Sequence, residues 1–181
     1  MARKETITKD MLICTAFALA KEEGMENVTA RKLAAKAGCS TQPIFRIYEN
    51  MEDLMQEIFD KSVAYFSFYY ERFPKLRKEP FVNLGLSYIQ FAKEEHELFR
   101  ILFLSTNRYG KTMYEILNGE HGVVAQEIAR AKEDGCKDTG DLFTKMWIFI
   151  HGAASMSITD DYDLDEIKTT ELLVSVYHAF C

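Results

Sequence analysis

The stretch Val28–Tyr48, VTARKLAAKAGCSTQPIFRIY, constrains this chain more than any other, because it reads as two short helices joined by a tight glycine turn. In its first half Ala30, Leu33, Ala34 and Ala37 recur at i, i+3, i+4 and i+7 and form one apolar stripe, which leaves Arg31, Lys32 and Lys36 on the other faces. Thr29 is placed to cap that helix. Gly38 supplies the residue that turns left-handed after the last helical turn, and Ser40 is the expected N-cap of the second helix. Pro43 then falls in the first turn, where backbone donors have no intrahelical partner; its ring biases Gln42 away from helix.

Polarity separates this motif from an ordinary hairpin in a core. A buried second helix is apolar on most sides. Here Ile44 and Tyr48, four apart, face inward, whereas Thr41, Gln42, Phe45 and Arg46 point elsewhere near the exposed N-terminal end. These are residue types that read or flank a DNA groove, at the position a recognition helix uses.

The net charge of −6 argues against a nucleic-acid partner until its distribution is considered. Residues 1–48 hold eight Lys/Arg against five Asp/Glu, or +3, and the remainder holds fourteen against twenty-three, or −9. The basic part is the helix-turn-helix part, and an acidic remainder is best held away from a duplex. Arg3, Lys4 and Lys9 form a short basic arm at or before the first helix.

Around the motif, the pattern is helical. Leu12, Ala16, Leu19 and Ala20 mark a helix from Thr8 that Gly24 ends. Asn50 caps a long helix running through Leu54, Ile58, Phe59, Val63 and Phe66 to Phe73, stopped by Pro74. Pro80 fits the first turn of the next, with Leu84, Tyr88, Phe91 and Ala92 on one face. One further segment covers residues 111–134, its start left open by Gly110, Gly119 and Gly122 and its end closed by Gly135. Asp138 or Asp141 caps a helix that is apolar nearly all round from Met146 to Ala154, and a last helix starts near 163–165. Two adjacent apolar helices at the end of a chain suit an intermolecular four-helix bundle, so a C2 homodimer through them is expected. The class is all-α, with a helix-turn-helix domain over 1–50 and a helical effector-binding and dimerisation domain over 51–181.

Other chemistries find little support. No apolar run is long enough for a membrane span and the N-terminus lacks a signal-peptide core, so a cytoplasmic protein without a membrane partner is expected. Cys14, Cys39, Cys136 and Cys181 have neither metal-ligand nor disulfide-framework spacing and read as separate thiols of a reducing compartment. His96, His121, His151 and His178 have no partner at metal or triad spacing, and no phosphate-cradling glycine motif occurs; no catalytic residue, metal or cofactor is expected, and no enzyme. Asp161, Asp163 and Asp165 alternate like a calcium loop, but Glu166 fills the glycine position and Leu172 the terminal bidentate position.

The block from Ile7 to Met55 resembles the TetR family of one-component transcriptional repressors. The resemblance rests on EEG at 22–24, VTxRKLA at 28–34, AGCS at 37–40, IFRIY at 44–48 and NMEDL at 50–54; WIFIHG at 147–152 is similar to a signature of some members' C-terminal domains. It implies a three-helix DNA-binding domain, a divergent helical domain that binds a small molecule and dimerises, and repression of a double-stranded operator relieved by ligand. It matches Thr29, Arg31, Ser40, Thr41, Gln42, Phe45 and Arg46 to the DNA-facing region. Phe45 stands where the family commonly has a phosphate-contacting tyrosine, and Met51 where a lysine is usual. Candidate effector contacts are Tyr69, Tyr88, Phe91, Phe99, Phe103, Met113, Trp147 and His151, most of them also plausible packing residues; the effector itself is unidentified. The alternative is an all-α interaction module whose helix-turn-helix is structural.

Overall fold

The computed structural model describes residues 7–119 and 121–181, and these are helical with no strand. The chain divides into two compact units, Met1–Val63 with Glu97–Lys111, and Ala64–His96 with Thr112–Cys181. The division falls inside one long helix.

In the first unit, helix α1 (Lys9–Glu23) is capped by Thr8, whose hydroxyl accepts the Met11 N–H at 3.2 Å, and ends at Gly24 with φ of +89°. A 3₁₀ turn, Met25–Asn27, leads into α2 (Ala30–Lys36). The Gly38 turn at φ +66° then delivers α3 (Gln42–Ile47). Leu12, Ala16, Leu19, Val28, Leu33, Ile44 and Tyr48 are buried, which gives this region a core of its own. Asn50 accepts the Asp53 N–H at 3.0 Å and starts α4 (Met51–Arg72), whose residues to Val63 complete the unit together with α6 (His96–Phe99) from Glu97 onward. A π turn, Arg100–Leu104, follows α6, with the Ser105 N–H bonded to the Arg100 carbonyl at 2.9 Å.

The second unit is built on α5 (Val82–Glu94), in which every residue from Val82 to Ile89 is buried. Pro80 does not sit in its first turn, as its position in the sequence suggested. Phe81 instead occupies the N-cap in the left-handed region, φ +64°, and donates its N–H to Glu127 at 2.7 Å. Glu127 is buried and is held by Arg130 at 2.8 Å, so a carboxylate 46 residues away satisfies an amide at the helix start. Side by side with α5 run α9 (Thr139–Ile158) and α10 (Glu166–Phe180), capped by Asp138 and Asp165. Gly85 marks their close approach: a methyl group there would lie 3.0 Å from Ile150 Cδ1 and 3.1 Å from Leu173 Cδ1.

The segment over 111–134, whose start its glycines left open, forms two helices, α7 (Met113–Asn118) and α8 (Val123–Glu133). Gly119 and Gly122, both at positive φ, break it, and a Thr112–Glu115 capping box starts α7. On α9 the all-round apolar stretch is covered on one side only. Met146, Ile150, Ala153 and Ala154 are buried, while Ile148 is 64% exposed and Met156 47%; Ile167 on α10 is 68% exposed.

The cysteines correct a second expectation. Cys136 and Cys181 are joined in a disulfide, their Cα atoms 4.9 Å apart, leaving only Cys14 and Cys39 as free thiols. The pair is 45 residues apart, and it exists because the turn after α8 meets the end of α10. In a chain-entropy treatment, a crosslink closing a loop of this length stabilises by about 4 kcal/mol. Cys136→Ser, or reduction of the wild type, is expected to lower the urea midpoint by an amount approaching that figure, whereas Cys14→Ser and Cys39→Ser leave it unchanged; equal midpoints with and without reductant would show that the crosslink contributes nothing.

Candidate nucleic-acid interface and aromatic core

The surface of the helix-turn-helix follows from how α3 is anchored. Ile44 and Tyr48, at 0% and 4% exposure, pin one side of the helix, so Thr41, Gln42, Phe45 and Arg46 are left exposed on the other, with Phe45 at 52%. Ser40 is exposed but does not cap α3. The N-cap position belongs to Thr41, which sits in the right-handed helical region, and its carbonyl accepts the Ile44 N–H at 3.1 Å. Its hydroxyl makes no capping bond. The helix therefore starts one residue later than Ser40 would place it, and the tight backbone turn replaces the serine hydroxyl. Pro43 remains in the first turn.

At the start of α2 the expected cap is present. The Thr29 hydroxyl accepts the Lys32 N–H at 3.2 Å and its carbonyl the Leu33 N–H at 2.9 Å. Among the basic residues of this motif, Lys32 is paired with Glu23 at 2.7 Å and with Asn27, and Lys36 is paired with Glu22. Both partners come from the end of α1. Arg31 and Arg46 are exposed and have no ion pair among the described residues. Two of the four cations are thus already neutralised, which residue counting along the sequence does not reveal. The arm residues Arg3 and Lys4 lie outside the described residues; Lys9 pairs with Glu57 at 2.9 Å.

Several expected effector contacts in the second unit form a run of touching rings. Tyr69 meets Phe91 with centroids 5.2 Å apart, Phe91 meets Phe66 at 5.0 Å, Phe66 meets Tyr88 at 5.9 Å, and Tyr88 meets Trp147 at 5.3 Å. Trp147 stacks on His151 at 4.8 Å, and His151 Nδ1 lies 3.0 Å from the Tyr88 hydroxyl. His151 is thereby a hydrogen-bonded histidine within the unit. Phe66 belongs to this run although the sequence marked it only as a helix-stripe residue. The void lined by Phe81, Leu84, Tyr88, Leu117, Phe143, Met146, Trp147 and Ile150 has a volume of about 10 Å³, scarcely room for one water.

The remaining candidates lie apart. Tyr69 also borders an open groove of about 330 Å³ with Phe68, Arg72 and Phe73; burial raises its pKa, with Glu94 accepting its hydroxyl at 2.7 Å. Met113 is half-buried in the first turn of α7 and lines neither space. Phe99 and Phe103 are buried against each other, 5.1 Å apart, in the first unit.

The family model described as "Bacterial regulatory proteins, tetR family" matches residues 12–58. Among solved structures, the chain is similar to a TetR-family transcriptional regulator from Vibrio parahaemolyticus, with 18% identity, 94% of this chain and 97% of that chain covered, and a TM-score of 0.69. It is also similar to the fatty acid degradation regulator FadR of Bacillus halodurans, at 18% identity over 98% and 96% of the two chains with a TM-score of 0.66. A TetR variant from Acinetobacter baumannii AYE in complex with minocycline gives 18% identity over 97% of each chain and a TM-score of 0.62. No curated protein sequence matches. Identities this low establish a shared fold.

The two threonines of the motif give a direct check on the local geometry. Thr29→Ala is expected to lower unfolding free energy by about 1 kcal/mol in urea titration, because a helix donor loses its cap. Thr41→Ala, which removes no capping bond, is expected to stay within about 0.5 kcal/mol of wild type. A loss at Thr41 as large as at Thr29 contradicts the backbone start of α3.

Proposed function

We propose that this chain, whose residues 12–58 match the TetR family model, is a homodimeric repressor of the TetR type that binds a palindromic operator and is released by a small molecule. The family match over residues 12–58 and the all-helical fold support a DNA-binding transcriptional regulator. The observation that carries the finer reading is the two-sidedness of α3, with Ile44 and Tyr48 buried and Thr41, Gln42, Phe45 and Arg46 exposed together. Gln42 and Arg46 supply the paired donors and acceptors that distinguish base edges, and Thr41 a hydroxyl for a phosphate and a methyl group for a thymine methyl. Arg31 adds a cation at the first turn of α2, while Ser40 and Thr29 flank the motif with hydroxyls.

Dimerisation through α9 and α10 is supported by their uncovered apolar side chains, Ile148, Met156, Ile167 and Phe180. Gly152 lies between Ile148 and Met156 at helical spacing, with open space where its Cβ would be, so a partner helix could approach closely there. A two-fold dimer sets two α3 helices against successive major grooves about 34 Å apart.

For the effector, the supporting observation is the ring run from Tyr69 to His151, joined by the Tyr88–His151 hydrogen bond. With only about 10 Å³ free around Tyr88 and Trp147, a ligand gains entry by displacing rings. It acts through its unequal affinity for the closed and opened arrangements. Trp147 is the single tryptophan, so its emission reports entry directly.

Selection of operator fragments from a random duplex pool, followed by fluorescence anisotropy, tests the reading. Arg46→Ala is expected to lower operator affinity at least tenfold with the dimer intact in sedimentation; unchanged affinity removes α3 from the interface. Phe45→Tyr and Met51→Lys each restore a hydroxyl or cation suited to a phosphate. Met51→Lys in particular is expected to steepen the dependence of log affinity on log salt by about one unit per half-site, with base preference retained. An altered base preference in Met51→Lys would place that residue against the bases instead.

A further inference from the structure

We propose that a cleft of about 620 Å³ in the first unit binds an organic cation, an ammonium or phosphonium centre on an apolar body. The cleft is bounded by the 3₁₀ turn that precedes α2, by the first half of α4, and by the π turn after α6 with the loop that follows it. It is separate from the ring run and does not rest on the effector reading above.

Charge is the first argument. Three carboxylates, Glu26, Glu52 and Glu97, line the cleft against one cation, Arg100. Glu52 is engaged by the Asn107 side-chain amide at 3.3 Å. Arg100 reaches Glu97 only at 3.8 Å and is itself 53% exposed at its side chain, a weak pairing. Glu26 has no hydrogen bond or ion pair among the described residues. The Glu26 and Glu97 carboxylates nevertheless converge: a methyl group on Gly24 would lie 2.8 Å from both oxygens of Glu26 and 2.9 Å from Oε2 of Glu97. Two like charges share one small space that only a glycine leaves open, and a cation between them relieves their repulsion.

The walls supply the second argument. Met55, Phe59, Ile101 and Tyr109 face the same cleft, with the Phe59 and Tyr109 rings 5.3 Å apart. A bare divalent ion calls for a shell of six to eight oxygens, which thioether and ring walls cannot complete. The partly exposed Tyr109 ring, backed by the buried Phe59, and Met55 beside the carboxylates instead suit a cation whose charge is carried on hydrocarbon. The π winding of Arg100–Leu104 contributes Arg100, Ile101 and Leu104 to a single wall. Glu26 stands three residues before the Thr29 cap, so occupancy is linked to the turn that leads into α2.

The test uses tetraphenylphosphonium and its anionic counterpart of the same shape, tetraphenylborate, titrated calorimetrically into the full chain at low salt. Saturable one-site binding of the cation is expected, weakened roughly tenfold or more by Glu26→Gln with Glu97→Gln and unaffected by Trp147→Phe. Both glutamates are at least partly exposed, and thermal melts of the double variant confirm that it folds. Absence of saturable binding, unchanged affinity in the double variant, or equal binding of tetraphenylborate overturns the proposal. So does a loss of binding in Trp147→Phe that the glutamate changes do not produce, since it assigns the cation to the aromatic core.

Discussion

The burial of α5 is the constraint on which the second unit depends. A helix whose consecutive residues from Val82 to Ile89 are all out of water has no polar face to offer solvent, so neighbours must surround it. Helices α9 and α10 meet that demand, and Gly85 lets them approach until Ile150 and Leu173 fill the space where a side chain would stand. What α9 spends on α5 it cannot also turn outward: Met146, Ile150 and Ala154 are inside, and Ile148 and Met156 remain as the apolar remainder on its far side. The polar groups at the start of α5 are paired. Phe81 takes a left-handed backbone, at a cost of order 1 kcal/mol, and the buried Glu127 carboxylate accepts its amide while Arg130 holds that carboxylate.

A similar economy governs the helix-turn-helix. Anchoring α3 by Ile44 and Tyr48 decides which way its other residues point, and the cations of α2 are then divided between structure and solvent. Lys32 and Lys36 fasten α2 to the end of α1 through Glu23 and Glu22, while Arg31 and Arg46 stay exposed. Exposed ion pairs of this kind contribute little to stability, but they lower the local positive field that a phosphate would meet. With a phenyl ring at Phe45 and a thioether at Met51, the surface around α3 is less cationic than its count of lysines suggests.

Much of this was legible in the residues. Thr29 and Asn50 cap the helices they were expected to cap, Asp138 and not Asp141 caps α9, and Leu12, Leu33, Ile44 and Tyr48 are buried where their spacing put them, because caps and stripes act over three or four residues. The errors lie where a local signal competed with something distant. Ser40 lost its capping role to the backbone of the turn, and Pro80 was displaced from the helix by a residue that answers to Glu127. Of the candidate effector contacts, Tyr88, Phe91, Trp147 and His151 share one ring run that only packing could assemble, whereas Phe99 and Phe103 fall in the other unit.

By itself, then, the sequence determined the all-helical class, the helix-turn-helix and which side of α3 faces out, since each depends on periodicity and capping within one or two turns of chain. Tertiary structure alone decided the Cys136–Cys181 crosslink, the neutralisation of Lys32 and Lys36, the near-closed space beside Trp147, and the convergence of Glu26 with Glu97. Those features join side chains from elements separated by as many as seventy-one residues, between Glu26 and Glu97. No local pattern encodes such meetings, because they follow from how the helices stack.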